Sequence, residues 1–169
     1  METHTYKTIG INLGSHHLGD YDKILNIFSR ELGKIRVVAK SARKLKNKFT
    51  GHLEIFGYYK YFISRGRNLD ILKQLKVQKT FKHIRSDFDR IETGLYLSWA
   101  IDKVTMIGHP NPALFDLLLS CLQALNNKEK QPIKIKTFFK KELLRCEGIN
   151  INNQCSEKDF EETFFEYLR

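Results

Sequence analysis

Seven basic side chains, Lys34, Arg36, Lys40, Arg43, Lys44, Lys46 and Lys48, fall within fifteen consecutive residues that contain no Asp or Glu. Ammonium and guanidinium groups at this density make and break no bonds. They neutralise phosphates, and each neutralised phosphate releases condensed counterions. Written as a strand that runs into a loop, the segment places Lys34, Arg36, Val38 and Lys40 on one face and Ile35, Val37 and Ala39 on the other. The cations then point outward and the apolar residues fill a core, while the loop residues continue the stripe. Such a stripe follows a phosphate backbone and gives salt-sensitive, largely sequence-independent affinity. The same composition also describes a solvated strand connection, so charge alone leaves both readings open.

Single-strand binders add aromatic rings on which bases stack, and Phe49, Phe56, Tyr58, Tyr59, Tyr61 and Phe62 lie just downstream. On a strand, Phe56, Tyr58 and Phe62 share one face and Tyr59 and Tyr61 the other, so one set must be core. Most of these rings are expected inside, with Tyr59 and Tyr61 the better surface candidates.

Other chemistry is harder to draw. His16 and His17 lie close to Asp20 and Asp22, a set from which a small metal-dependent nuclease could be built, but Gly14, Ser15 and Gly19 mark the segment as a polar turn. The chain has no Gly-rich phosphate loop ending in Lys-Ser/Thr and no His-Glu-x-x-His. Cys121, Cys146 and Cys155 are sparse, odd in number and without a Cys-x-x-Cys, which argues against a disulfide framework or a structural zinc and fits a reducing, cytoplasmic setting. No catalytic residue, metal or cofactor is expected, and the chain reads as a binding protein rather than an enzyme.

The elements that must position the stripe follow from periodicity. Up to about residue 80 the period is near two and the residues are β-branched or aromatic, predicting strands at 7–14, 23–29, 34–39, 52–64 and 68–79. Glu31-Leu32-Gly33-Lys34 and Arg65-Gly66-Arg67-Asn68 read as tight hairpins. Five short strands suggest a small closed barrel of the oligonucleotide-binding (OB) type, which leaves no exposed edge. Beyond residue 80 the period lengthens, and helical segments are expected at 81–92, 93–107, 112–126, 132–147 and 157–168, punctuated at Gly108-His109-Pro110-Asn111-Pro112 and Gln131-Pro132. The chain is therefore expected to be α+β, with an OB-fold domain over 1–80 and an all-helical domain over 81–169.

Charge divides at the same boundary. Residues 1–80 hold 16 Lys and Arg against 6 Asp and Glu, whereas residues 81–169 hold 13 against 13, so the whole net charge of +10 sits in the first half. That confinement is what a phosphate-binding surface needs. No apolar run approaches the ~18 residues of a membrane span, and Met1-Glu2-Thr3-His4 opens a polar segment rather than a signal peptide.

The run from Asp22-Lys23-Ile24-Leu25-Asn26-Ile27-Phe28-Ser29-Arg30-Glu31-Leu32-Gly33-Lys34 on to Ile35-Arg36-Val37-Val38-Ala39-Lys40-Ser41-Ala42-Arg43 resembles the N-terminal signature of RecO recombination mediators. The likeness continues through Gly51-His52-Leu53-Glu54-Ile55-Phe56, Arg65-Gly66-Arg67-Asn68-Leu69-Asp70-Ile71-Leu72, Tyr96-Leu97 and Asn111-Pro112-Ala113-Leu114-Phe115-Asp116-Leu117-Leu118, and Glu142-Leu143-Leu144-Arg145-Cys146-Glu147-Gly148-Ile149 looks like the family's last core helix. The resemblance implies binding of single- and double-stranded DNA, annealing of complementary strands, and work with RecR to load RecA onto DNA coated by single-strand-binding protein. It implies DNA contacts at Lys34, Arg36, Lys40, Arg43, Lys44, Lys46 and Lys48. The acidic tail of single-strand-binding protein would dock on the helical half, through Lys134, Lys136, Lys140, Lys141 and Arg145. Family members commonly run beyond 200 residues and many carry paired Cys-x-x-Cys zinc ligands; here Cys155 occupies the first position but Lys158 stands at the second, so zinc is not carried over and the chain reads as a shortened member. An RNA- or ribosome-binding OB-fold protein remains the alternative.

Overall fold

The computed structural model describes residues 4–49, 51–149 and 157–168. Contacts divide the chain into two compact units, Met1–Phe81 with Thr105–Pro112, and Lys82–Val104 with Ala113–Arg169.

The first unit is a five-stranded barrel of β1 (Thr5–Leu18), β2 (Asp22–Ser29), β3 (Gly33–Ala39), β4 (Tyr58–Ser64) and β5 (Asp70–Lys79). It closes in the order β1-β2-β3-β5-β4, with all pairs antiparallel except β3–β5. This is the OB fold expected from the sequence. Alternation sorts the side chains: Leu25 and Ile27, Val37 and Ala39, and Tyr59, Tyr61 and Ile63 enter the core together with Phe49, Leu53 and Leu72. Tyr59 and Tyr61 therefore lie inside, their rings edge-to-face at 5.8 Å, and not on the surface. The outward side chains of β4 are Tyr58, Lys60 and Phe62, each half-buried.

Several boundaries differ from the expectation. β1 runs on to Leu18, so His16 and His17 sit in a strand opposite Ile24 and Lys23, and the turn is confined to the residues that follow. β4 begins at Tyr58 rather than at residue 52, because residues 52–57 are held as a loop by Asn12. At a bulge in β1, the buried Asn12 amide donates to the Leu53 and Glu54 carbonyls at 3.1 Å, while its Oδ1 accepts the Gly14 N–H. The Asn12 main chain pairs with Gly57 and Phe56 at 2.9 Å. This one residue thus stitches the end of the β3–β4 connection to the barrel.

Gly33 starts β3 with φ +69°, and a Cβ there would strike the carbonyl of His109. A tight hairpin needs the left-handed conformation, and the passing backbone leaves room for no side chain. Segment 105–112 lies along this strand: Gly108 N–H donates to the Lys34 carbonyl at 2.9 Å and Ile107 makes a parallel bridge with Lys34.

The second unit holds a 3-10 turn at Lys82–Ser86 and helices α1 (Phe88–Val104), α2 (Pro112–Leu125), α3 (Pro132–Cys146) and α4 (Glu157–Tyr167). The expected segments 81–92 and 93–107 are replaced by this turn and one continuous α1, since Asp87 caps the helix through the Arg90 N–H at 3.0 Å. Proline opens α2 and α3, where a missing N–H costs nothing. Gly148, at φ +77°, ends α3, with Gly148 N–H on the Arg145 carbonyl and Ile149 N–H on the Leu144 carbonyl. No helix among the described residues is long and apolar enough to cross a membrane.

Arg90 organises this unit. Its buried guanidinium donates to the carbonyls of Leu125, Asn127, Lys128 and Lys130 at 2.6–2.9 Å, closing the C-terminal end of α2 and the turn after it. Four fork-shaped donors on orphan carbonyls are a task for a guanidinium and not an ammonium. Arg90→Met should lower the unfolding free energy by about 3 kcal/mol, and Arg90→Lys should recover little of it, as measured by urea denaturation. Among the described residues the buried Tyr61 hydroxyl has no hydrogen-bond partner. Tyr61→Phe should therefore be neutral or stabilising by up to about 1 kcal/mol in the same assay, and a loss of stability would mean that the hydroxyl is bonded after all.

Candidate nucleic-acid interface

The basic loop leaves β3 at Ala39 and is pinned turn by turn. Ser41, at φ +56°, donates its N–H to the Asp22 carboxylate at 2.7 Å. Arg43 N–H reaches the Tyr21 carbonyl and its guanidinium the Asp20 carbonyl, both at 3.0 Å. The Asn47 amide donates to the Lys40 and Ser41 carbonyls and its oxygen accepts the Phe49 N–H at 2.7 Å. Phe49 and Leu53 enter the barrel core, so the loop is anchored at its far end by buried apolar area. The cations at its tip are consequently held on a shaped surface, not on a free chain.

Six of the seven expected phosphate-binding side chains are exposed here: Arg36 on β3, Lys40 just after it, and Arg43, Lys44, Lys46 and Lys48 along the loop. Lys44 lies over the Tyr21 ring at 4.9 Å and Lys48 over the Phe49 ring at 5.0 Å, contacts that orient the chains and leave their charge outward. Lys34 is the exception. It is only 8% exposed, in the strand covered by segment 105–112, so it does not share the open face with Arg36. Val38, expected on that same face, is buried as well.

Sequence reasoning passed over a further set of lysines. Lys7, Lys60, Lys73, Lys76 and Lys79 are scattered along the chain, and only strand pairing brings Lys7, Lys60 and Lys76 onto one outer face. The alternation Tyr58-Lys60-Phe62 was the available signal, but aromatic residues on both faces of the strand left its outward face unmarked.

Asp22 is occupied in holding Ser41, and His16 Nε2 lies 3.4 Å from the Asn26 amide. Among the described residues no group of three or more His, Cys, Asp or Glu is placed to hold a metal ion. Burial first, and the Glu142 carboxylate second, push the Cys121 thiol up to about 12, so it stays protonated at neutral pH. The expectation about Cys155 as a vestigial zinc ligand falls outside the described residues.

The lysines expected to form one docking face on α3 are divided by their surroundings. Lys136 pairs with Glu92 at 2.9 Å and lies over the Tyr96 ring. Lys140 is buried, with the rings of Tyr96, Phe164 and Phe165 at 5.3–5.6 Å. Arg145 pairs with Glu142. Lys134 and Lys141 are exposed, and Lys134 borders a groove of about 540 Å³ that Lys130, Cys121, Ala124, Ile135 and Phe138 also line.

Two family models cover nearly the whole chain: Recombination protein O N terminal over residues 1–81, and Recombination protein O C terminal over residues 85–166. Curated relatives include the DNA repair protein RecO of Dehalococcoides mccartyi, 33% identical over 145 residues, which are 86% of this chain and 57% of that protein. The RecO of Acetivibrio thermocellus is 26% identical over 96% of this chain and 66% of its own length. That of Desulforamulus reducens is 35% identical over 73% of this chain and 49% of its own. The chain thus aligns with roughly half to two thirds of these relatives' length. With an OB barrel and a helical unit that each match the corresponding half of one family, this chain belongs to the RecO family.

Proposed function

We propose that the protein is a DNA-binding recombination mediator that anneals complementary strands and, with RecR, helps load RecA onto DNA coated by single-strand-binding protein. The observation that carries the DNA-binding part is the loop of residues 40–48, whose exposed Lys40, Arg43, Lys44, Lys46 and Lys48 meet no acidic residue in sequence and are fixed on the barrel by Asp22, Tyr21 and Asp20. Prepaid ordering of the loop lowers the cost of seating a flexible strand on it. Arg36 extends the tract onto β3. Lys34, being buried, takes no part in this reading.

Annealing needs no nucleotide hydrolysis. Two polyanionic strands repel, and a surface that neutralises both lets complementary bases search and pair. The partner assignments rest on membership of the RecO family and are supported more lightly by the helical unit. Lys130 and Lys134, with Glu129 beside them, border the largely apolar groove on α2 and α3, and this net cationic rim suits an acidic peptide such as the tail of single-strand-binding protein.

Annealing of two complementary oligonucleotides, without ATP or metal, tests the reading. Wild type should accelerate it, and the variant Arg43→Ala, Lys44→Ala, Lys46→Ala should lose at least about tenfold of that acceleration while melting at the same temperature. Acceleration by wild type should also weaken steeply with salt. Equal activity of the folded variant would remove the loop from the mechanism.

A further inference from the structure

The outer face of β1, β4 and β5 carries a second cationic array. Register places Ile9, Lys60 and Lys76 in one row across the three strands and Lys7, Phe62 and Gln74 in the next, at spacings of about 4.8 Å between strands. Lys7 lies over the Phe62 ring at 5.5 Å. Lys73 and Lys79 stand exposed farther along β5. The single acidic residue of these three strands is Asp70, whose carboxylate accepts from the Tyr6 hydroxyl at 2.5 Å and the Gly66 N–H at 3.1 Å.

Lys60 directly opposite Lys76 is costly in a free sheet, because like charges across a strand pair repel. A bound polyanion offsets that repulsion with attraction to both ammonium groups. The array is also continuous with the loop. Lys48 donates from its ammonium to the Lys73 carbonyl at 2.5 Å, and Lys48, His52, Lys73 and Gln74 line a depression of about 500 Å³ between loop and β5. Half-exposed Ile9 and Phe62 interrupt the lysines with apolar surface on which a base can rest.

We infer that a single DNA strand bound on the 40–48 loop continues past Lys48 and Lys73 onto the face of Lys76, Lys60 and Lys7. This rests on the nucleic-acid reading of the loop and adds a path to it: the strand wraps from the β3–β4 connection across β5 and β4 to β1. The occupant is a phosphate backbone with intermittent base contacts, so the face contributes affinity and reach without sequence preference.

The test compares binding of an oligothymidylate of about 30 nucleotides, longer than an OB fold's usual footprint, across a salt series. Four proteins are needed beyond wild type: the face variant Lys7→Ala, Lys60→Ala, Lys76→Ala; its charge-preserving counterpart with Arg at the same three positions; the loop variant; and a control with Lys82→Ala, Lys103→Ala, Lys128→Ala, which lowers net charge equally. For the face variant, the slope of log affinity against log salt should fall by about 2, three phosphates at roughly 0.7 each. The arginine counterpart and the control should keep the wild-type slope. A face variant indistinguishable from wild type overturns the path while leaving the loop reading intact, and equal losses in face variant and control overturn it in favour of diffuse charge. Failure of wild type to bind the strand, or an unaffected loop variant, would instead overturn the reading on which the path rests.

Discussion

Closure of the barrel through a short parallel seam is the constraint from which the rest of the first unit follows. Four of the five strand pairs are antiparallel and can be joined by turns, but β3 and β5 meet in parallel, with Val37 opposite Asp70 and Val38 opposite Ile71. Parallel neighbours cannot be joined by a hairpin. The chain must leave β3, cross the end of the barrel and return through β4 before it can lay down β5. The connection so created is the one that carries the cations. Its position at the barrel mouth is thus a consequence of topology, and its rigidity comes from what it does on the way: Phe49 and Leu53 fill the core, Asp22 holds Ser41, and Asn12 holds residues 53–57.

Both units use a single buried polar side chain to fix a stretch of irregular backbone. Asn12 spends its amide on a loop of the barrel, and Arg90 its guanidinium on the turn after α2. Irregular backbone cannot satisfy its own carbonyls and N–H groups, so a connection packed against a core needs donors supplied from elsewhere. The residue type matches the demand. Asn12 has both a donor pair and an acceptor for a bulge that presents both, whereas Arg90 faces carbonyls only and offers donors only.

The lopsided charge of the sequence becomes a geometric property in the structure. In the helical unit, three cations are engaged locally: Lys136 by Glu92, Arg145 by Glu142, and Lys140 by a set of aromatic rings. In the barrel, the carboxylates of Asp22 and Asp70 accept from backbone N–H groups and a tyrosine hydroxyl, and the excess of Lys and Arg over Asp and Glu lies in this half of the sequence. An uncompensated cationic surface on a rigid support is the physical requirement for holding a polyanion without reading its sequence.

The sequence by itself determined the fold class, because period-two and longer-period patterns report which face each element buries, and those periods change once, near residue 80. It also determined that the basic loop would lie outside, since charges this dense cannot be buried without partners. Three matters were left to the tertiary structure. The register of β4 decided that Tyr59 and Tyr61 are core and Lys60 and Phe62 outward; aromatic residues on both faces gave the pattern no sign, and a shift of one residue exchanges the faces. The burial of Lys34 depended on segment 105–112, some seventy residues away, whose backbone folds back along β3. And the row of Lys7, Lys60 and Lys76 exists only because strands distant in sequence are neighbours in the sheet. Periodicity records what one element does to its own two faces, whereas a surface assembled from three strands is a property of their pairing.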